Sequence, residues 1–162
     1  MTVLCPICGK HSVRPNGRTS ADVLLVLGEP DDEDLRLGYP FSGQSGEILK
    51  AELGRVGIQM EACRAVCIYS HPHAVGDSMM CIDRSVEDFG AEMKNRRGIL
   101  LFGAQASKFF GYEINDVSGL IIKPELLPED VIVVVAPHPG VLKHTTVGEM
   151  RLALKIFKEA VW

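Results

Sequence analysis

Long apolar runs are missing from this chain. No stretch approaches the roughly 18 to 20 consecutive apolar residues of a membrane-spanning helix, so no helical span is expected. The N-terminal segment MTVLCPICGK has no basic region leading into an apolar core. It does not read as a secretory signal, and a cytoplasmic protein is the expectation. Positive charge is also short. Seventeen Lys and Arg against 21 Asp and Glu leave a net charge of −4. That argues against attachment to nucleic acid by bulk charge and leaves only local basic patches. The candidates are the Arg14–Arg18 region, Asn95-Arg96-Arg97 and Lys143-His144. There is no internal repeat, low-complexity segment or linker, and no glycine-rich phosphate loop follows the first apolar run. The last absence argues against an unrelated nucleotide-binding enzyme.

What remains is an ordinary globular composition, 46% hydrophobic and 23% charged, in 162 residues. That length suits one domain, residues 1–162, with its own core. Apolar runs bounded by turn residues predict strands at Asp22–Leu27, Arg64–Tyr69, Gly98–Phe102 and Val131–Ala136. The last carries five consecutive β-branched residues. Gly119–Ile122 reads as a minor strand. Helices are predicted from Ser45 to about Val56, over Ser85–Asn95, over Ala104–Phe110 with Gly111 as its stop, and over Val147–Val161. Strand–helix alternation of this kind predicts a three-layer α/β/α sandwich around a central, mainly parallel, four-stranded sheet. The oligomeric state is not encoded in these patterns.

Open α/β sheets bind ligands beyond the carboxyl ends of their strands. Those ends carry Gly28-Glu29-Pro30, Ser70-His71-Pro72-His73, Gly103-Ala104-Gln105 and Pro137-His138-Pro139-Gly140. Carboxylate, imidazole, hydroxyl and small residues gather at one edge, as a site requires. Five cysteines are present. Cys5-Pro6-Ile7-Cys8-Gly9 is a knuckle able to wrap one metal ion, although it supplies only half of a site.

The ordered set of motifs resembles the uracil-DNA glycosylase superfamily, and within it the iron–sulfur branch often called family four. That family runs from a Cys-x-x-Cys knuckle to a strand ending in Gly-Glu-Ala-Pro-Gly, then to Gly-x-Pro-Phe-x-Gly-x-x-Gly entering a helix. Here Gly28-Glu29-Pro30 ends the first strand, and Gly38-Tyr39-Pro40-Phe41-Ser42-Gly43-Gln44-Ser45-Gly46 carries the second piece intact. Phe102-Gly103-Ala104-Gln105-Ala106 looks like the family's Leu-Gly-x-x-Ala strand end, and His138-Pro139-Gly140 like its His-Pro-Ser motif. Three departures stand out. Pro30-Asp31 replaces Ala-Pro-Gly, Ser70 stands where the family has a base-reading asparagine, and Gly140 replaces the serine. A hydroxyl has fewer fixed donors and acceptors than an amide, so these changes imply altered specificity or lost catalysis.

The resemblance implies hydrolysis of the N-glycosidic bond of uracil, or a related modified pyrimidine, flipped out of DNA. Glu29 would hold water and offset positive charge on the sugar. His138 would donate N–H to the departing base. Phe41 would stack on the base, or else cap the helix entry as a core residue. Gly28, Ser70, Gly103 and Ala104 would border the base and the DNA. Val141 or Leu142 would fill the vacated stack, with Lys143 on a phosphate. The run Asp31-Asp32-Glu33-Asp34 reads as a solvated acidic loop with no assigned role. A [4Fe–4S] cluster is implied on Cys5, Cys8 and Cys81, with His73, Cys67 or Cys63 as the remaining candidate ligand. Zinc is the alternative, with His71 or His73 joining the three cysteines. The expected partner is uracil-containing or modified DNA, with no membrane partner. The competing reading is a catalytically inactive member of the fold that binds DNA or protein.

Overall fold

In chain order the elements are β1 (Val3–Leu4), β2 (His11–Ser12), β3 (Asn16–Gly17), β4 (Val23–Leu27), α1 (Asp32–Leu37), α2 (Gln44–Arg55), β5 (Arg64–Cys67), α3 (Met79–Glu92), β6 (Gly98–Phe102), α4 (Ala104–Phe109), α5 (Ile114–Val117), β7 (Ile121–Ile122), β8 (Ile132–Ala136) and α6 (His144–Val161). This computed structural model describes residues 3–73, 79–142 and 144–162.

The four predicted apolar runs form the centre of a six-stranded sheet ordered β3-β5-β4-β6-β8-β7. The middle four strands are mutually parallel. Short antiparallel strands, β3 and β7, close the two edges. β7 is the predicted minor strand. β3 was not legible, because two residues, Asn16-Gly17, carry no periodicity. The β1–β2 hairpin forms a separate small sheet.

Alternation across the pleat divides the core. Val23, Leu25 and Leu27 point to one face, where they meet Leu49 and Leu53 of α2 and Met150, Leu154 and Phe157 of α6. Leu24 and Val26 point to the other face, against Phe89 of α3, Ala106 of α4 and Val117 of α5. The result is the expected three-layer sandwich. Gly98 lets α6 lie close to the sheet, since a Cβ there would fall 2.5 Å from the Phe157 ring.

Helix bounds shift where sequence periodicity is weakest. α3 begins at Met79 and ends at Glu92, ahead of the predicted Ser85–Asn95. The acidic run is not a solvated loop. Asp31 caps α1 in a reciprocal box with Asp34, each side chain accepting from the other's backbone N–H. Three acids in the first turn suit the positive end of the helix.

Candidate metal centre and strand-end site

The N-terminal hairpin folds its knuckle around Cys5. The Cys5 N–H donates to the Lys10 carbonyl at 2.8 Å, and the Gly9 N–H donates back to the Cys5 carbonyl at 2.8 Å. Gly9 sits at φ +74°, where glycine is the favoured residue. The hairpin exit is tied to the loop after β5 by Val13 N–H donating to the Ser70 carbonyl at 2.8 Å. This brings Cys5 and Cys8 to His71 on that loop and to Cys81 in α3.

The side chains of Cys5, Cys8, His71 and Cys81 offer four ligand atoms, all within 4.8 Å of one another. Cys5 Sγ and Cys81 Sγ are 3.9 Å apart, and Cys8 Sγ lies 3.4 Å from His71 Nε2. His71 is 1% exposed and Cys81 3%. The His71 Nδ1 lies 3.0 Å from the Pro72 carbonyl, which can only accept. Nδ1 therefore carries the proton, and the lone pair on Nε2 faces the thiols, the usual arrangement behind a ligating imidazole. Burial pushes the Cys5 thiol up, but the backbone N–H groups of Cys8 and Ile7, with the His71 and Cys8 side chains, outweigh it and bring it down to about 6. Burial and the neighbouring Cys8 and Cys5 thiols push Cys81 up to about 11. The set can hold a metal ion.

Of the candidates for the fourth ligand, the structure brings His71, named for the zinc alternative, to the three cysteines, and it leaves Cys67 and Cys63, named for the iron–sulfur cluster, outside the set. Cys63 is buried beside α2, donating weakly to the Gln59 carbonyl, and burial raises its thiol to about 11. Cys67 packs toward the α2 and α6 face, and burial, with Asp34, Asp31 and Glu29 nearby, raises its thiol well above the usual range. The signal available in sequence was position alone, a histidine followed by proline one turn beyond a strand.

The second feature lies at the carboxyl edge of the sheet. Leu27, Cys67, Phe102 and Ala136 are in register, so the residues after them emerge level. Glu29 and His138 follow strands two places apart, about 10 Å by interstrand spacing. Between them comes Gly103, at φ +89°, where a Cβ would lie 3.3 Å from that of His138.

His138 is half-buried. Its Nδ1 accepts from the Gly140 N–H at 2.9 Å. The proton of the neutral ring is therefore on Nε2. Burial lowers its pKa, against an opposing contribution from Asp31.

Glu29 accepts from the His73 N–H at 3.4 Å. It lines a cleft of about 400 Å³ with Tyr69, His73, Gln105, Lys108 and Phe109. Gly28 admits Gln105 here, because a Cβ on it would fall 2.4 Å from the Gln105 amide oxygen.

Phe41 is only 5% exposed and belongs to the core on the α2 and α6 face. Its ring meets Phe102 edge-on, with centroids 5.5 Å apart. Its φ is +57°, unusual for a bulky residue. The turn is imposed from outside. The buried Asp34 carboxylate accepts from Ser42 N–H at 2.9 Å and Ser42 Oγ at 3.1 Å, and Gly46 leaves room for the Phe41 carbonyl, which a Cβ would meet at 1.7 Å.

Ser70 is turned to α3, its hydroxyl 3.3 Å from that of Ser85. Val141 is exposed in the short turn Pro139–Val141, Leu142 leans on the core, and Ala104 is exposed at the start of α4. Lys143 lies outside the described residues. The structure thus joins Gly103 to His138 and Gly28 to the Glu29 cleft, while Phe41 and Ser70 each pack elsewhere. Sequence reasoning missed Asp34, whose role depends on a long-range contact to Ser42, and Gln105, whose position depends on Gly28. Among the described residues no helix is long and apolar enough to cross a membrane. No protein-family model matches the chain, and no curated protein matches it.

Proposed function

We propose that the protein is a uracil-DNA glycosylase-type hydrolase acting on uracil or a related pyrimidine flipped out of DNA. The observation that carries this reading is His138. The Gly140 N–H occupies Nδ1 and burial favours the neutral ring, so Nε2–H is a donor fixed in advance at the sheet edge. Cleavage sends the bonding electron pair into the base, and charge appears on its carbonyl oxygens only as the bond breaks. A donor held ready for that charge stabilises the transition state more than the ground state. Water adds to the sugar carbon, and Glu29 offsets the positive charge there and receives the water's proton. The motifs Gly38–Gly46 and His138-Pro139-Gly140 support the same reading by resemblance. The metal belongs to it as a structural staple, iron–sulfur by resemblance or zinc by ligand chemistry.

Phe41 favours a second reading. A ring 5% exposed and packed on Phe102 must move to stack on a base. The fold would then serve as a non-catalytic DNA- or protein-binding module. Incubation of purified protein with single- and double-stranded oligonucleotides containing deoxyuridine, followed by alkaline cleavage, separates the two. Strand breaks that His138→Ala and Glu29→Ala abolish support the enzyme. Background cleavage on both substrates, with salt-dependent retention of DNA, supports the binding module.

A further inference from the structure

The geometry points to a single tetrahedral zinc ion on Cys5, Cys8, His71 and Cys81, in place of the iron–sulfur cluster that the resemblance implies. Four ligands on one tetrahedral zinc, with bonds of about 2.3 Å to sulfur and 2.0–2.1 Å to nitrogen, stand about 3.5–3.8 Å apart. Cys5 and Cys81 stand 3.9 Å apart and Cys8 and His71 3.4 Å, close to the edges of that tetrahedron, and no pair exceeds 4.8 Å. A four-iron cube must fit between its ligands, with its irons already apart before the outward bonds to sulfur are added. Its thiolates therefore stand well beyond the spacing of ligands on one ion. The donor set agrees. Three thiolates and an imidazole are a structural zinc set, whereas the cube takes four thiolates. The remaining thiols do not supply the missing one, since Cys63 and Cys67 pack with the core residues of α2 and α6 and neither joins the cluster of ligand atoms.

The same ion has a positioning role. Its ligand His71 lies two residues before His73, whose backbone N–H holds Glu29. Zinc would clamp the hairpin, α3 and the Ser70–His73 loop together, and so fix the loop that holds Glu29.

The test is independent of glycosylase activity. Protein expressed with both iron and zinc supplied, and purified without oxygen, is assayed for metals and acid-labile sulfide. The expected result is one zinc per chain, no sulfide and no broad visible absorption. Cobalt in place of zinc should give the intense visible bands of a tetrahedral thiolate site. His71→Cys, which keeps four ligands, should retain one zinc and change the cobalt spectrum. Cys8→Ser should lose stoichiometric metal. Stoichiometric iron and sulfide in the wild-type chain would overturn the assignment, as would a folded wild-type chain with no retained metal after zinc is supplied. Unchanged cobalt bands in His71→Cys would remove His71 from the site.

Discussion

The Nε2 of His71 lies 3.4 Å from the Sγ of Cys8, although 63 residues separate them in the chain. A metal joining them closes a long loop and ties the N-terminal hairpin to the loop after β5. By analogy with a disulfide across a long loop, losing such a link costs about 3 kcal/mol. In a chain of this length that is a fall in Tm of roughly 10 °C. Calorimetry before and after treatment with a strong chelator should show it, and added zinc should reverse it. Hydrogen exchange should rise first in the hairpin and the Ser70–His73 loop.

Gly46 is a backbone requirement. A Cβ there would sit 1.7 Å from the Phe41 carbonyl oxygen, a contact that no rotamer can relieve. Gly46→Ala should cost about 3 kcal/mol, the upper end of ordinary overpacking. Gly54→Ala is the control on the same helix, because nothing lies within 4 Å of its added methyl. Urea unfolding of the pair should show a large loss in the first and a small gain in the second.

Asp34 explains why acids crowd the segment before Phe41. Buried, and accepting from both the N–H and the hydroxyl of Ser42, it pins the turn that forces Phe41 into positive φ. Asp34→Ala strips those partners and should cost about 2 kcal/mol. Ser42→Ala removes the hydroxyl alone and should cost less. A loss for Ser42→Ala equal to that of Asp34→Ala would mean that the backbone bond contributes nothing.

The parallel sheet was legible because three of its four central strands, β4, β6 and β8, are short runs dominated by Val, Ile and Leu, and burial on both faces demands such a run. The closing helix was legible because Met150, Leu154, Phe157 and Val161 recur at helical spacing. α1 was not, since its stability comes from a cap between Asp31 and Asp34 rather than from an apolar stripe. The metal set was half legible. Cys5 and Cys8 announce themselves by spacing, whereas the choice of His71 over His73 is made by the path of the loop after β5. Phe41 shows the opposite limit. Its motif stands out in the sequence, yet its ring packs on Phe102, which lies 61 positions further on in the chain.

Glu92 joins three distant segments. It accepts from Arg64 at 3.0 and 2.8 Å and from Arg96 at 3.2 Å, and Arg96 also donates to the carbonyls of Thr19 and Ala21. The Arg64 hydrogen bonds hold the Glu92 carboxyl below its usual range, against burial. A carboxyl with a depressed folded pKa stabilises above its unfolded value, near 4.5, and that contribution disappears as pH falls through the folded value. Glu92→Gln should cost about 2 kcal/mol at neutral pH, in the range of a charge-assisted hydrogen bond. The difference from wild type should shrink in acid. A constant difference from pH 7 down to pH 3 would show that charge is not what Glu92 contributes.

The pH profile of base release tests His138 most directly. Burial lowers its folded pKa below the ordinary 6.5, with Asp31 opposing, so the neutral ring is the resting form. In that form Nδ1 accepts from Gly140 and Nε2 donates outward. Acid places a proton on Nδ1, which breaks the Gly140 hydrogen bond and frees the ring to turn. Release should therefore climb as pH rises through a value below 6.5 and then level, with no fall attributable to His138 at higher pH. Stability carries the same sign. The unfolded chain binds the proton more readily, so the contribution of His138 is complete above 6.5 and is lost as pH falls toward the folded value. His138→Gln keeps an N–H donor without a titrating ring. It should retain part of the release rate and flatten the acid limb, whereas His138→Ala should abolish release at every pH. An acid limb that survives in His138→Gln would assign the titration to another group.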